Sequence, residues 1–345
     1  MGRVAVHWRD ALVRRGWIFR HYGNEEVPMP ILKPLWPNGA RQAWEKTGIR
    51  DDLFLAHEPA AEVLRQTGIP TILFSHGLEA RASKLIPNTN KQFHKRIKSS
   101  LTRPFWQRLA RQREIALRKC PLLFLINQDD MDFAISSYNR RQDEIFVFRN
   151  GVNASDVEAQ HCTAGEHTIL FYGSWLTRKG KSVLIEAAIL LAQAGIKPRW
   201  LLVGTGKSDS EVLLDWPVYF HGNVEVRPNV ASIEDDSIYS QATLFVLPSF
   251  YEGQPLTLLQ AMESGRCVIT TRCCGQKDII RNKYNGLLFD PGDSVELARL
   301  IAMGLTNKDM RFKLGCQAKA DMVSRRWPLV ADEVVDRLEQ FVQNT

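Results

Sequence analysis

The sequence predicts an α/β protein built from two doubly wound parallel sheets. Three observations carry that expectation. Short apolar runs alternate with helical stretches along all 345 residues. Most of the runs are apolar at every position rather than at every second one, as in strands covered on both faces. The length suits about two domains of roughly 150 residues each, and a polar, turn-rich stretch, GVNASDVEAQHCTAGE at 151–166, falls between the halves.

The elements follow in order. RVAVHWRDALVRRGW reads as an opening helix. Strands are expected at Leu53–Ala56, Thr71–Ser75, Leu122–Asn127 and Ile145–Phe148, then at Thr168–Tyr172, Trp200–Val203, Val218–His221, Thr243–Leu247 and Cys267–Thr271. Helices between the later strands are expected at Ser182–Ala194, Ile233–Gln241, Leu256–Ser264 and Ser294–Met303. A last helix covers Trp327–Val342, and it is expected to pack back across the junction. The expected domains are 1–160 and 161–326, with 327–345 as the closing helix. No internal repeat or low-complexity tract is visible.

Composition narrows the class. The hydrophobic fraction of 44% is ordinary for a soluble globular chain, and no run approaches the roughly 20 apolar residues of a membrane span. Scattered charges in the first 17 residues argue against a signal peptide. The six cysteines form no CxxC pair, so neither a zinc site nor a disulfide framework is indicated, and a reduced, cytoplasmic setting is expected. The net charge of +7 is local: residues 91–119 hold ten Lys and Arg and one acid, leaving 35 basic against 37 acidic residues elsewhere.

Two loops carry polar chemistry. In YEGQPLTLLQ, Glu252 follows a strand and Pro255 suits the first turn of the next helix. Backbone amides at Gly253, Gln254, Leu256 and Thr257 would point out of that helix start, an arrangement that favours phosphate. Glu252 beside it could accept hydrogen bonds from sugar hydroxyls; alternatively it only caps the helix dipole. In FYGSWLTRKGK, another strand-to-helix junction brings Arg178, Lys179 and Lys181 to the same sheet edge. Amides from one loop and cations from the other would make a diphosphate clamp, although a basic loop alone is usually solvated surface.

These residues resemble the nucleotide-sugar-binding half of the family 4 glycosyltransferases. The matching strings are GSWLTRKGKSVLIEAA, LLVGTGKSD, FHGNV, YSQATLFVLPSFYEGQPLTLLQAMESGRCVITT and CCGQKDIIRNKYNGLLFDPGDSVELA, over roughly residues 166–305. DLFLAHEP, PTILFSHGLE, LLFLINQ and IFVFRNGVN match the acceptor half more weakly. The resemblance implies the GT-B fold, two Rossmann-like domains facing a cleft, with acceptor binding in the first and nucleotide-sugar binding in the second. It implies retaining transfer from a UDP- or GDP-linked donor, with no metal or other cofactor and no enzyme nucleophile. Lys179, of the family's Lys-Gly pair, would neutralise the leaving diphosphate, with Arg178 and the loop glycine Gly173 beside it. Glu252, the first acid of the family's Glu-x7-Glu pattern, would contact the transferred sugar. His76, after strand Thr71–Ser75, would lie near that sugar; a packing or capping role is the alternative, and His57 in AHEP is a weaker case of the same kind.

The chain departs from the pattern in places. The family's second Glu, which holds the ribose, is Gln260, a substitution expected to weaken the donor roughly tenfold. The usual Arg after the first loop glycine is Ser174, and the usual Gly-Gly reads Cys274-Gly275 before the acid Asp278. The family opens with a strand and a Gly-rich loop; this chain opens at the following helix and continues into IFRHYG, read as the second strand. Those departures motivate a rival reading, a non-catalytic GT-B protein that docks on a membrane or a partner transferase. A related epimerase or phosphorylase is a third. Asp130-Met131-Asp132 is a DxD string, but its setting fits a helix cap better than a metal site. Gly204-Thr205-Gly206 lacks the third glycine of a dinucleotide fingerprint.

The basic segment 91–119 repeats Phe93, Ile97, Leu101, Phe105 and Leu109 every four positions, a helical stripe in which Pro104 must start or bend a helix. Lys95, Arg96, Lys98, Arg103, Trp106 and Arg108 suit an anionic membrane surface or a lipid-linked acceptor. A solvated helix packed on the sheet and a nucleic-acid surface are the alternatives, and nucleic acid is not expected as a partner. The expected location is the cytoplasm, peripheral on the inner face of the membrane, and the expected acceptor is a polysaccharide or glycolipid precursor.

Overall fold

The computed structural model describes residues 2–22, 36–86, 93–155, 167–231 and 236–344, with residues 36–37 and 93–103 as backbone only. The chain divides into two compact units. One comprises Met1–Lys84, Asn88–Arg149 and Ala331–Thr345; the other comprises Leu85–Pro87 and Asn150–Val330.

The first unit opens with α1 (Arg3–Arg14) and α2 (Trp36–Thr47), followed by β1 (Phe54–His57), α3 (Glu58–Arg65), β2 (Thr71–Phe74), α4 (Glu79–Leu85), α5 (Phe93–Lys119), β3 (Leu123–Leu125), α6 (Gln128–Tyr138) and β4 (Ile145–Val147). Its sheet is parallel, in the order β1-β2-β3-β4. Ile72, Leu73, Leu123, Phe124 and Leu125 are fully buried, which is why these strands read as unbroken apolar runs. Residues 18–22 form no strand, contrary to the reading of IFRHYG. Ile18, the apolar side chain that would anchor one, is exposed. Arg20 and Tyr22 hydrogen-bond instead to the Asp51 carboxylate at 2.6 and 2.9 Å. The helix of the basic segment runs from Phe93 through Pro104 to Lys119, so the proline neither starts nor ends it.

The second unit holds β5 (Thr168–Tyr172), α7 (Lys181–Gln193), β6 (Arg199–Val203), α8 (Asp209–Leu213), β7 (Val224–Arg227), α9 (Asp236–Ser240), β8 (Leu244–Leu247), α10 (Leu256–Glu263), β9 (Cys267–Thr271), α11 (Cys274–Ile279), β10 (Leu287–Phe289), α12 (Ser294–Thr306) and α13 (Lys308–Met322). The last helix, α14 (Trp327–Gln343), follows. Val218–His221 is not the expected strand. Pro217 leads into a 3-10 turn over Val218–Asn223, only Phe220 of that turn is buried, and β7 starts after it. Of the expected helix Ile233–Gln241, residues 233–235 lie outside the described residues.

The six strands of this unit are parallel, in the order β10-β9-β8-β5-β6-β7. Chain order therefore reverses between β5 and β8, which pair directly through Ile169–Leu244 and Leu170–Phe245. In an open parallel sheet, the crevice at the carboxyl ends of two such strands is the expected ligand site.

Candidate donor site at the strand reversal

The loops leaving β5 and β8 are fastened to one another. Phe250 donates its backbone N–H to the Arg178 carbonyl at 2.8 Å. Gly180 has φ +75°, and a Cβ there would lie 1.9 Å from the Pro248 carbonyl oxygen. Only glycine meets both conditions. The Thr257 hydroxyl reaches down to the Tyr172 carbonyl at 3.1 Å and ties the start of α10 to the end of β5.

Three charged side chains meet there. Lys179 Nζ lies 2.6 Å from Glu252 Oε1, with side-chain exposures of 10% and 8%. Arg178 Nη1 lies 3.3 Å from the same oxygen and is more exposed. Gly173 faces the lysine: a Cβ at 173 would stand 3.6 Å from Lys179 Nζ. The two loops thus converge on one spot, but in this state the cations neutralise the carboxylate directly. Lys181, read as a third cation at this edge, is engaged by Asp215 at 2.5 Å.

The start of α10 has no side-chain cap, and Pro255 sits at the N-cap with φ −70° and ψ 119°, one position earlier than its expected place in the first turn. First-turn amides have no intrahelical acceptor, so those of Leu256 and Thr257 remain available for an anion. Gly253 is wedged in place, because a Cβ on Gly275 would come within 1.6 Å of its carbonyl oxygen. Gln254 plays a part that sequence reasoning missed. Its side-chain Oε1 accepts from the Asn150 N–H and from Arg325 Nη1, each at 2.9 Å, and Asn150 Nδ2 donates back to its carbonyl at 2.9 Å. Its side chain therefore braces the loop. Gln260 is 3% exposed, and no hydrogen bond links its side-chain amide to another described residue.

In the first unit, His76 follows β2. Its ring packs near Phe74, Phe148, His57 and Trp8, with centroid distances of 5.5, 5.8, 6.1 and 6.5 Å. This aromatic shelf withdraws solvent from one side of the imidazole and lowers its pKa from the ordinary histidine value, while the residue as a whole stays exposed. His57, more enclosed, is pushed down to about 4 by burial first and by His76 and Arg113 second. Both rings are therefore neutral near pH 7.

The DxD string is structural. Asn127 caps α6 by accepting the Asp130 N–H at 2.8 Å. The Asp130 carboxylate takes Leu78 N–H and Arg81 Nη1 at 3.1 and 3.0 Å. Asp132 accepts from Gln128. Among the described residues no cluster of His, Cys, Asp and Glu could hold a metal ion. On α5, Trp106 is 48% exposed and Arg108 is exposed, whereas Leu109, Ala116 and Leu117 are buried. The side chains of Lys95, Arg96, Lys98 and Arg103 lie outside the described residues. No helix among the described residues is long and apolar enough to cross a membrane.

Residues 166–307, which contain both loops, match the family described as glycosyl transferases group 1. This stretch belongs to that family. The glycosyltransferase match spans β5 to α12 and so includes the whole strand reversal. A relative from Campylobacter jejuni, N,N'-diacetylbacillosaminyl-diphospho-undecaprenol alpha-1,3-N-acetylgalactosaminyltransferase, is 24% identical over 176 residues, 51% of this chain and 45% of the relative. The chain spans about half the length of the curated relatives it matches. Sucrose-phosphate synthase from Thermosynechococcus elongatus superposes with a TM-score of 0.77 at 17% identity, covering 99% of this chain and 93% of that one. Anabaena HepE, solved in complex with UDP-glucose, superposes with a TM-score of 0.67 at 18% identity, covering 88% and 82%. These likenesses show the GT-B fold for the chain.

Proposed function

We propose that this chain transfers a sugar, with retention of anomeric configuration, from a UDP- or GDP-linked donor to a lipid-linked saccharide. The observation that carries the reading is the meeting of Lys179, Arg178 and Glu252 beside the uncapped start of α10, at the strand reversal of the glycosyltransferase domain. A diphosphate placed there would receive the two cations from one loop and the first-turn amides of α10 from the other. Both are set before the reaction and act on charge that grows as the sugar–phosphate bond breaks. Glu252, released from the cations, then accepts hydrogen bonds from the transferred sugar. Gln260 meets the ribose. His76, neutral and exposed on its outer side, acts on the reacting sugar, and the attacking hydroxyl loses its proton to the departing phosphate. No metal is needed, because the leaving charge is met by Lys179, Arg178 and amides.

The lipid-linked acceptor is supported by the Campylobacter relative, whose name specifies a diphospho-undecaprenol substrate. The exposed Trp106 and Arg108 on the basic helix suit peripheral contact with an anionic cytoplasmic membrane face. Binding of the full chain to phosphatidylglycerol vesicles, weakened by Trp106→Ala with Arg108→Ala and by salt, checks that part.

The deciding experiment uses the purified chain with a panel of nucleotide sugars and undecaprenyl-diphosphate-linked saccharides. A UDP- or GDP-sugar should raise the melting temperature and be turned over to an α-linked product. Donor binding without any transfer or hydrolysis would favour the binding-protein reading instead. A fold that no nucleotide sugar stabilises would overturn the transferase reading.

A further inference from the structure

The reading of His76 leaves one buried acid unexplained. Glu58 begins α3, directly after the end of β1, and is 1% exposed. The Ser75 hydroxyl donates to its Oε1. Oε2 has no hydrogen-bond partner among the described residues. Ser75 Oγ in turn accepts the Gly77 N–H at 3.2 Å. Gly77 has φ +137°, which a side chain would resist. The chain of contacts from Glu58 to Ser75 to Gly77 therefore brackets His76 on both sides. It ties the turn that carries the imidazole to the start of a helix on another strand connection.

A buried carboxyl with one empty oxygen is a costly feature for a core to keep. An aliphatic residue would pack there without that cost, so the contact with Ser75 is what the acid supplies. We propose that Glu58 is a positioning residue: through Ser75 it holds the 75–77 turn so that His76 presents its exposed edge in one orientation. This rests on the role given to His76 above. The charged and titratable groups around Glu58 are His57 at the end of β1, His76 itself, Glu79 on α4, Arg113 on α5, and Asp130 and Tyr138 on α6. Glu79 is paired with Arg113 at 2.6 Å and Asp130 with Arg81 at 3.0 Å. Glu58 itself makes no ion pair with a described residue, and burial first of all raises its pKa to about 7. It acts as a hydrogen-bond acceptor, a part that its neutral amide can also fill.

The test compares His76→Ala, Glu58→Ala, Glu58→Gln and Ser75→Ala in the full chain. It measures donor affinity, kcat and the imidazole resonances of His76 by NMR. Glu58→Ala and Ser75→Ala should each lower kcat about 10- to 100-fold, the range expected for a misplaced group. Donor affinity should not change, the His76 resonances should shift, and neither change should lower the rate of His76→Ala further. Glu58→Gln should keep most of the rate, since its amide oxygen still accepts from Ser75. If His76→Ala turns over like the parent chain, the assignment of His76 fails. If His76→Ala is inactive while Ser75→Ala and Glu58→Ala keep the parent rate and resonances, the positioning role fails and the assignment of His76 stands. Should Glu58→Ala not fold, Ser75→Ala and Glu58→Gln decide between the same outcomes.

Discussion

Lys179 Nζ and Glu252 Oε1 are 2.6 Å apart, almost out of reach of solvent. The proposed diphosphate must take the lysine away from the carboxylate, so the pair holds cation and acid at one point until a donor separates them. Substituting Glu252 then has two opposite effects. Glu252→Ala should abolish sugar transfer, while UDP or GDP without a sugar binds as tightly as before or tighter, because Lys179 and Arg178 no longer have a competitor. Breaking the buried pair should also cost about 3–5 kcal/mol of stability in the free protein, recovered in part when the nucleotide is added. Calorimetric titration of the variant checks this; a nucleotide affinity that falls with Glu252→Ala would contradict it.

Gln260 makes no hydrogen bond to a described residue through its amide and is nearly buried. Gln260→Glu should restore a charge-assisted bond to the ribose and lower the donor Kd about tenfold, or about 1.4 kcal/mol. The same change should lower the melting temperature of the donor-free protein, since it buries an unpaired carboxylate. An unchanged or raised donor Kd would remove Gln260 from the ribose position.

Gly275 stands against Gly253. Gly275→Ala places a methyl group 1.6 Å from the Gly253 carbonyl oxygen, which neither backbone can avoid without moving. The expected result is a loss of about 3 kcal/mol in stability and a fall in transfer of at least about tenfold. Chemical denaturation and kcat/KM measurements check both, and a fully active, equally stable Gly275→Ala chain would show that this wedge does not shape the loop.

Glu58 gives a pH dependence whose sign can be worked out. Its pKa in the fold is raised from 4.5 to about 7, so the fold favours the protonated acid. Stability is lost as pH rises above the unfolded value of 4.5, and the loss is complete above about 7. The span corresponds to about 3 kcal/mol at most. His57, lowered from 6.5 to about 4, runs the other way and costs stability as pH falls below 6.5. The two nearly cancel in the parent chain between those limits. Glu58→Gln removes one of them, so its stability relative to the parent should improve steadily from pH 4.5 to pH 7. Denaturation curves across that range check it; a constant difference would mean that Glu58 does not titrate there.

Much of this was legible in the chain itself, for reasons that differ by element. β5 and β9 were expected at Thr168–Tyr172 and Cys267–Thr271 and are found there, because central strands buried on both faces leave no doubt about where the apolar run stops. β7 was misplaced because Val218 and Tyr219 carry strand-like side chains in an exposed turn after Pro217. β10, three residues long, offers too short a run to separate from a loop. In the candidate site, the residue types were readable from the strand-to-helix junctions. The contact between Lys179 and Glu252 was not, since it depends on β5 and β8 being neighbours in the sheet. The brace from Gln254 to Asn150 and Arg325 was hidden for the same reason, and nothing in the sequence around Glu58 signals its contact with Ser75.

The contact of Gly180 with the Pro248 carbonyl welds the cation turn to the exit of the neighbouring strand. Neither loop can drift in sequence without the other following, so new donor preferences would be inherited as a matched pair of segments. An engineer who grafts one of them alone onto a different scaffold should expect a dead hybrid.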